Sequence, residues 1–104
     1  MNLLKLLQYI EKRPRMYIRD TRLELLESFI SGYFLCQAQN KIASKDDEVF
    51  RAEFYDWIYS KYNNLSNDIS WLGLIRQISQ NESKEEFDMF FELLKDFNKD
   101  KGLL

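Results

Sequence analysis

Apolar residues recur along this sequence at the spacing of an α-helix, with few interruptions. The first segment shows the pattern, with apolar side chains at i, i+3, i+4 and i+7: Leu3, Leu6, Leu7 and Ile10. Only three glycines and one proline occur in 104 residues. Sheet proteins need more turn residues than this, so the sequence predicts an all-α fold.

Five segments carry the helical spacing. Pro14 predicts the end of the first helix near residue 12, because a residue before proline avoids the α conformation. Loops are expected at 44–48 and 63–68, and a frayed tail over 99–104. Capping residues indicate three helix starts: Thr21 with Glu24 for the second helix, Ser70 for the fourth, and Ser83 with Glu86 for the fifth.

The second helix is expected to run from about residue 21 to 42 and to lie at the centre. It carries two apolar faces, one with Leu23, Leu26, Ile30 and Phe34, the other with Leu25, Phe29, Gly32 and Cys36. A helix that is apolar on two sides has neighbours on both. Since 104 residues leave room for one core, we expect a single compact domain over 1–104, with about five helices around a central second helix.

Composition narrows the classes of function. The chain has no histidine and one cysteine, which removes the usual general base, the thiol–imidazole pair and the usual zinc ligands. Carboxylate pairs remain, but they sit where solvated helix faces would place them. We therefore expect no enzyme and no cofactor or metal ion. A lone cysteine and the lack of a membrane-length apolar run predict a cytoplasmic protein.

Charge is unevenly distributed, although the net charge is only −2. Residues 12–22 hold five basic residues and one acid, whereas residues 82–100 hold seven acids and three lysines. The slightly acidic balance argues against nucleic acid as a direct partner.

Two surfaces are candidates for binding a protein partner: a tyrosine stripe with neighbouring acids on the third helix, and an acidic stripe on the fifth. Tyrosine is enriched at binding hot spots, and an acidic surface suits a basic partner. The candidate residues are Asp46, Asp47, Glu48, Tyr55, Asp56, Tyr59, Tyr62, Glu85, Asp88 and Glu92. The alternative is that the tyrosines pack against a second helix and the acids form an ordinary solvated face.

An arginine segment surrounds the proline, with Arg13, Arg15, Arg19 and Arg22 flanking "MYI". In one interpretation these arginines bind an anionic partner. In the other, Met16 and Ile18 hold an extended strap against the core while the arginines cap helix ends or pair with nearby glutamates. The segment "KRPRMYIRDT" resembles "KRPGMYIGDT", a signature of the ATPase domain of DNA gyrase B. That family's Glu–x–x–x–Asn helix and glycine-rich lid are absent here, so ATPase activity is not expected.

A second resemblance extends over most of the chain. It rests on five motifs in order: "RPRMYI" (13–18), "LESFISGY" (26–33), "YDWI" (55–58), "SWLGLI" (70–75) and "FDMFFELLKDF" (87–97). In these the chain is similar to small, all-helical bacterial immunity proteins of contact-dependent growth inhibition and polymorphic toxin systems. The family-like glycines after "RP" and "MYI" are here Arg15 and Arg19.

The resemblance implies a protein that binds a cognate toxin domain, such as a nuclease, and neutralises it by occluding its active site or substrate surface. No membrane partner is expected. Two alternatives stay open: an adaptor or structural subunit of a larger assembly, and a small nucleic-acid-binding regulator that uses the arginine segment.

Overall fold

Five α-helices form the molecule in the computed structural model, which describes residues 2–68 and 70–103. They are α1 (Leu3–Lys12), α2 (Leu23–Asn40), α3 (Lys45–Lys61), α4 (Trp71–Glu82) and α5 (Glu86–Lys101). A 3-10 turn over Pro14–Met16 follows α1, and no strand occurs within 2–68 or 70–103. The prediction of one compact all-α domain with five helices is confirmed.

Helices α3 and α5 pack side by side in opposite directions. Lys101 at the end of α5 bonds to Glu53 near the middle of α3, at 2.7 Å. One turn further along α3, the indole of Trp57 donates to Asp100, at 3.1 Å. The end of α3 then reaches the middle of α5, where Tyr62 lies in the field of Asp96. These polar contacts border a buried aromatic contact between the two helices, where Phe54 packs against Phe90 and Phe97.

Helix α4 runs parallel to α3 and antiparallel to α5. The ring of Trp71, which opens α4, contacts Phe54 and Phe90, with centroids 6.0 and 5.0 Å apart. The connecting loop returns along α3, because the Tyr55 hydroxyl donates to the carbonyl of Asp68 at 2.6 Å. This returning loop is what allows two consecutive helices to lie parallel.

The core lies chiefly against α5 rather than α2. Seven residues of α5 are buried: Phe87, Met89, Phe90, Phe91, Leu93, Leu94 and Phe97. Helix α2, although longer, buries only Leu23, Leu26, Ile30 and Gln37. On its second apolar face Phe29 packs against the core, whereas Gly32 has no neighbour within 4 Å of an added Cβ and Cys36 is exposed. The expectation of a buried Cys36 is therefore wrong.

A buried carboxylate joins three helices at one end of the molecule. Asp47 in the first turn of α3 is 1% exposed and accepts the N–H groups of Leu3 and Leu4, at 2.8 and 3.1 Å. It also accepts from the amide of Gln37 on α2, at 2.6 Å. The free N–H groups at the start of α1 are satisfied by this anion, which suits the positive end of a helix.

Two of the predicted caps are absent. Arg22, not Thr21, precedes α2, and Glu24 pairs instead with Arg22 at 2.9 Å and with Arg76. Ser83 adopts the left-handed conformation at φ 55° and ends α4 rather than starting α5. Ser83 therefore forms the C-terminal cap of α4 and not the N-terminal cap of α5. Ser70 does precede α4, but its side chain makes no capping hydrogen bond.

The segments at the start of α3 and at the end of α5 also differ from expectation. Residues 44–48 are not all loop, since Ser44 caps α3 by accepting the N–H of Asp47, and the helix begins at Lys45. The tail is not frayed up to residue 103: Gly102 has φ 68°, and the N–H of Leu103 donates to Asn98 at 2.8 Å. Leu103 is buried, as in a Schellman motif with its apolar contact. The final residue of that predicted tail, Leu104, lies outside the described residues.

Candidate functional site

Acids of α4 and α5 converge on Tyr62 at the end of α3. Tyr62 is partly buried there, beside Glu82, Glu92 and Asp96. Burial is the main cause that raises the pKa of the Tyr62 hydroxyl. The three carboxylates raise this pKa further, because each disfavours a second negative charge nearby. We call the surface formed by Tyr55, Asp56, Tyr59, Tyr62, Glu82, Glu85, Asp88, Glu92 and Asp96 the acidic tyrosine face.

The other two tyrosines extend this face along α3. The rings of Tyr55 and Tyr59 stack with centroids 6.3 Å apart and planes inclined by 11°. Tyr55 is partly buried and its hydroxyl is occupied by the loop at Asp68, whereas Tyr59 is 38% exposed. Tyr55 therefore orients its neighbour, and Tyr59 is the ring that a partner can contact directly.

A small cleft of about 100 Å³ opens beside Tyr62. Its walls are mostly amides and one carboxylate, and its lining residues are Tyr62, Asn63, Asn64, Leu65, Ile78, Asn81 and Glu82. Carbonyl and carboxylate oxygens accept hydrogen bonds, and an aromatic ring attracts a cation. The cleft thus has the size and chemistry to receive one basic side chain.

The acidic stripe of α5 lies on the surface as predicted. Glu85, Asp88, Glu92 and Asp96 are all exposed. Only Glu92 of these has an ion pair within the described chain: Lys84 lies 3.2 Å away, and this hydrogen bond raises the pKa of Lys84. Most of the stripe's negative charge is therefore not compensated by neighbouring cations.

The acids at the start of α3 do not behave as one group. Asp47 is buried beneath α1, so its predicted place on a binding surface is wrong: the free N–H groups of α1 draw it inward. Asp46 is partly buried and Glu48 is exposed. Glu48 forms an exposed ion pair with Arg51, at 2.7 Å. Asp46 and Glu48 lie at the opposite end of α3 from Tyr62, so they do not extend the acidic tyrosine face.

The arginine segment is a turn, not an extended strap. Ile18 packs into the core, but Met16 is 68% exposed, so the prediction that Met16 holds the segment down is wrong. Arg22 pairs with Glu24 as expected, and Arg15 lies 3.6 Å from Asp20. Arg13 and Arg19 are exposed and make no ion pair within the described part of the chain.

Several residues of this surface were not anticipated from sequence. Glu82 of α4 joins the predicted α5 acids Glu92 and Asp96 around Tyr62, yet no sequence motif links it to them. Trp57 and Lys61 hold Asp100, and the bond from Trp57 is the chief cause of the lowered pKa of that carboxyl. Lys61 also lies 4.9 Å from the centroid of the Trp57 ring. The antiparallel pairing of α3 with α5 brings Asp96 and Asp100 close to α3, and the packing of α4 against α3 brings Glu82.

Two further observations concern metal binding and membrane spanning. Over the described residues, no group of three cysteine, aspartate or glutamate side chains is arranged to hold a metal ion. Likewise, none of the helices in 2–68 and 70–103 is long and apolar enough to cross a membrane. Compared with known proteins, the chain matches no family model, no curated protein and no solved structure.

Proposed function

We propose that this chain is an immunity protein that binds a cognate bacterial toxin domain through the acidic tyrosine face and neutralises it without catalysis. The observation that carries the proposal is the convergence of α4 and α5 carboxylates on Tyr62 at the end of α3. The five-motif resemblance to immunity proteins supports the class of partner. The proposal includes a cytoplasmic location, in keeping with a single free cysteine.

The chemistry of the face favours a basic, nucleic-acid-cleaving toxin. An enzyme that binds a polyanion presents lysines and arginines around its active site. Uncompensated carboxylates on α5 complement such a surface and speed the encounter. The exposed ring of Tyr59 and the cleft at Tyr62 supply the contacts that hold the complex once formed.

The direct test is a rescue assay. The C-terminal domain of the protein encoded immediately upstream is expressed with and without this chain, and growth is followed. We expect rescue, and a stable one-to-one complex on purification. Toxicity that this chain does not relieve would contradict the proposal, and a stable homo-oligomer or a non-toxin partner in pull-downs would favour the adaptor alternative.

The role of charge is tested by one reversal and its matched control. Asp88→Lys lies on the acidic tyrosine face, and Glu11→Lys changes the net charge equally from an exposed position on α1. Asp88→Lys should slow association with the toxin domain about tenfold at low salt, and less at high salt, because screening weakens steering. If Glu11→Lys slows association as much, the effect reports net charge and not this face.

A second candidate function is single-stranded nucleic-acid binding by the arginine segment. The observation in its favour is that Arg13 and Arg19 are exposed without ion pairs, next to exposed Met16 and Tyr17. Arginine and aromatic side chains together bind phosphates and stack on bases. A labelled single-stranded oligonucleotide should then bind at low salt and dissociate steeply with added salt. No binding at low salt removes this candidate.

A further inference from the structure

A groove lies between α1 and α5, away from the cleft at Tyr62. Its volume is about 510 Å³, within the range of pockets that hold small organic ligands. Residues of α1, of the second half of α5 and of the chain after it line the groove: Gln8, Glu11, Lys12, Phe91, Leu94, Lys95, Asn98, Lys99 and Leu103.

The floor of the groove is apolar. The edges of Phe91, Leu94 and Leu103 face it, while the rest of each side chain is buried in the core. The hydrogen-bonded turn at Gly102 places Leu103 there. A hydrocarbon group laid on this floor would be removed from water without displacing any polar contact of the protein.

The rim of the groove is positively charged in a protein whose net charge is negative. Three lysines line it, Lys12, Lys95 and Lys99, against one carboxylate, Glu11. None of the three makes an ion pair within the described residues, so their charge is free to meet a ligand. Lys12 and Lys99 also lie in the last turns of their helices, where cations are favoured, but Lys95 does not.

We propose that this groove binds a small amphiphilic anion, an aliphatic carboxylate whose hydrocarbon chain lies on Phe91, Leu94 and Leu103 and whose head group lies among the three lysines. The site is separate from the acidic tyrosine face, and the proposal does not depend on toxin binding. Charge complementarity selects the head group, and the apolar floor selects the tail.

The test uses octanoate as the probe, titrated into the full chain and followed by backbone amide NMR shifts. We expect saturable shifts centred on Lys95–Lys99, Leu103 and the end of α1. Acetate, which has the charge without the chain, and 1-octanol, which has the chain without the charge, should both bind more weakly. Equal binding of 1-octanol, or no saturable shifts with octanoate below its micelle concentration, would overturn the proposal.

Paired variants locate the site. The double variant Lys95→Gln/Lys99→Gln should weaken octanoate binding about tenfold, since it removes two lysine contacts to the head group. The control Lys41→Gln/Lys45→Gln removes two exposed lysines at the same spacing elsewhere and should bind as the wild type does. Equal weakening by both variants would overturn the site. Self-association that shields the groove residues would also overturn it, by showing that a second copy covers this surface.

Discussion

Asp47 was predicted on a binding surface, and the structure places it in the interior. It satisfies two backbone N–H groups of α1 and the amide of Gln37 from inside the protein. In Asp47→Asn one carboxylate oxygen becomes an NH₂ group, which faces donors instead of accepting from them. We expect the free energy of unfolding in urea to fall by about 2–4 kcal/mol.

The matched control for this change is Asp46→Asn, one position earlier in the same helical turn. Asp46 only interacts with the positive end of α3, so its substitution should cost at most about 1 kcal/mol. Equal effects of the two substitutions would show that Asp47 contributes through the helix dipole alone.

The titration of Tyr62 lowers the stability of the folded protein at alkaline pH. Burial and the nearby carboxylates raise the pKa of its hydroxyl above the ordinary value of 10.0. At pH values above about 10 the unfolded chain therefore loses a proton that the folded chain keeps, and stability falls as pH rises. Tyr62→Phe should make the urea midpoint fall less between about pH 9 and pH 11. An unchanged fall would contradict this account.

For individual residues, the sequence predicted the burial of apolar side chains better than the surroundings of polar ones. Leu3, Leu7 and Ile10 were predicted to share one apolar face from their spacing alone, and all three are buried. Asp47 stands between two other acids, and nothing in its neighbourhood distinguishes it. Its role comes from α1, 44 residues earlier in the chain, so no local pattern could have shown it.

Two glycines within helices have opposite structural roles, and this gives a prediction at the scale of the element. Gly32 on α2 faces open space, so Gly32→Ala should raise the free energy of unfolding by about 1 kcal/mol. A Cβ at Gly73 on α4 would overlap the carboxyl group of Asp68 in the returning loop. Gly73→Ala should therefore lose stability, by up to about 2 kcal/mol, despite the better helix propensity.

Thermal or urea unfolding of the two alanine variants measures this contrast. A gain for both would mean that the returning loop moves aside without cost. The contrast is informative because the apolar spacing of α2 predicts a neighbour against Gly32, whereas the structure places the close contact at Gly73.

The approximate positions of the helices were predicted better than the residues that cap their starts. The segment assigned to α1 agrees closely with Leu3–Lys12, because strong apolar periodicity defines it, whereas α5 begins later than its predicted cap and continues to Lys101. The Thr21 and Ser83 caps failed for a different reason. Glu24 is held by Arg76 from α4, and Ser83 is used to close the preceding helix. Local capping rules do not include such tertiary competitors.

At the scale of the whole molecule, the fold class was predicted and the arrangement of helices was not. The antiparallel pairing of α3 with α5 depends on buried contacts such as Phe54 with Phe90 and Phe97. That pairing brings Glu92 and Asp96 to Tyr62, and the packing of α4 against α3 adds Glu82. The sequence supplied the tyrosines and most of the acids, and the packing of the helices determined which of them meet.

The most direct test of the proposed face is the affinity for the toxin domain after removal of one exposed tyrosine ring. Tyr59→Ala and Tyr9→Ala form a matched pair, since these tyrosines lie on helices and are 38% and 41% exposed. Tyr59→Ala should weaken binding about 30-fold, as expected for a hot spot, while Tyr9→Ala leaves it within about twofold. Equal affinities of the two variants, or a larger loss with Tyr9→Ala, would contradict the acidic tyrosine face as the binding surface.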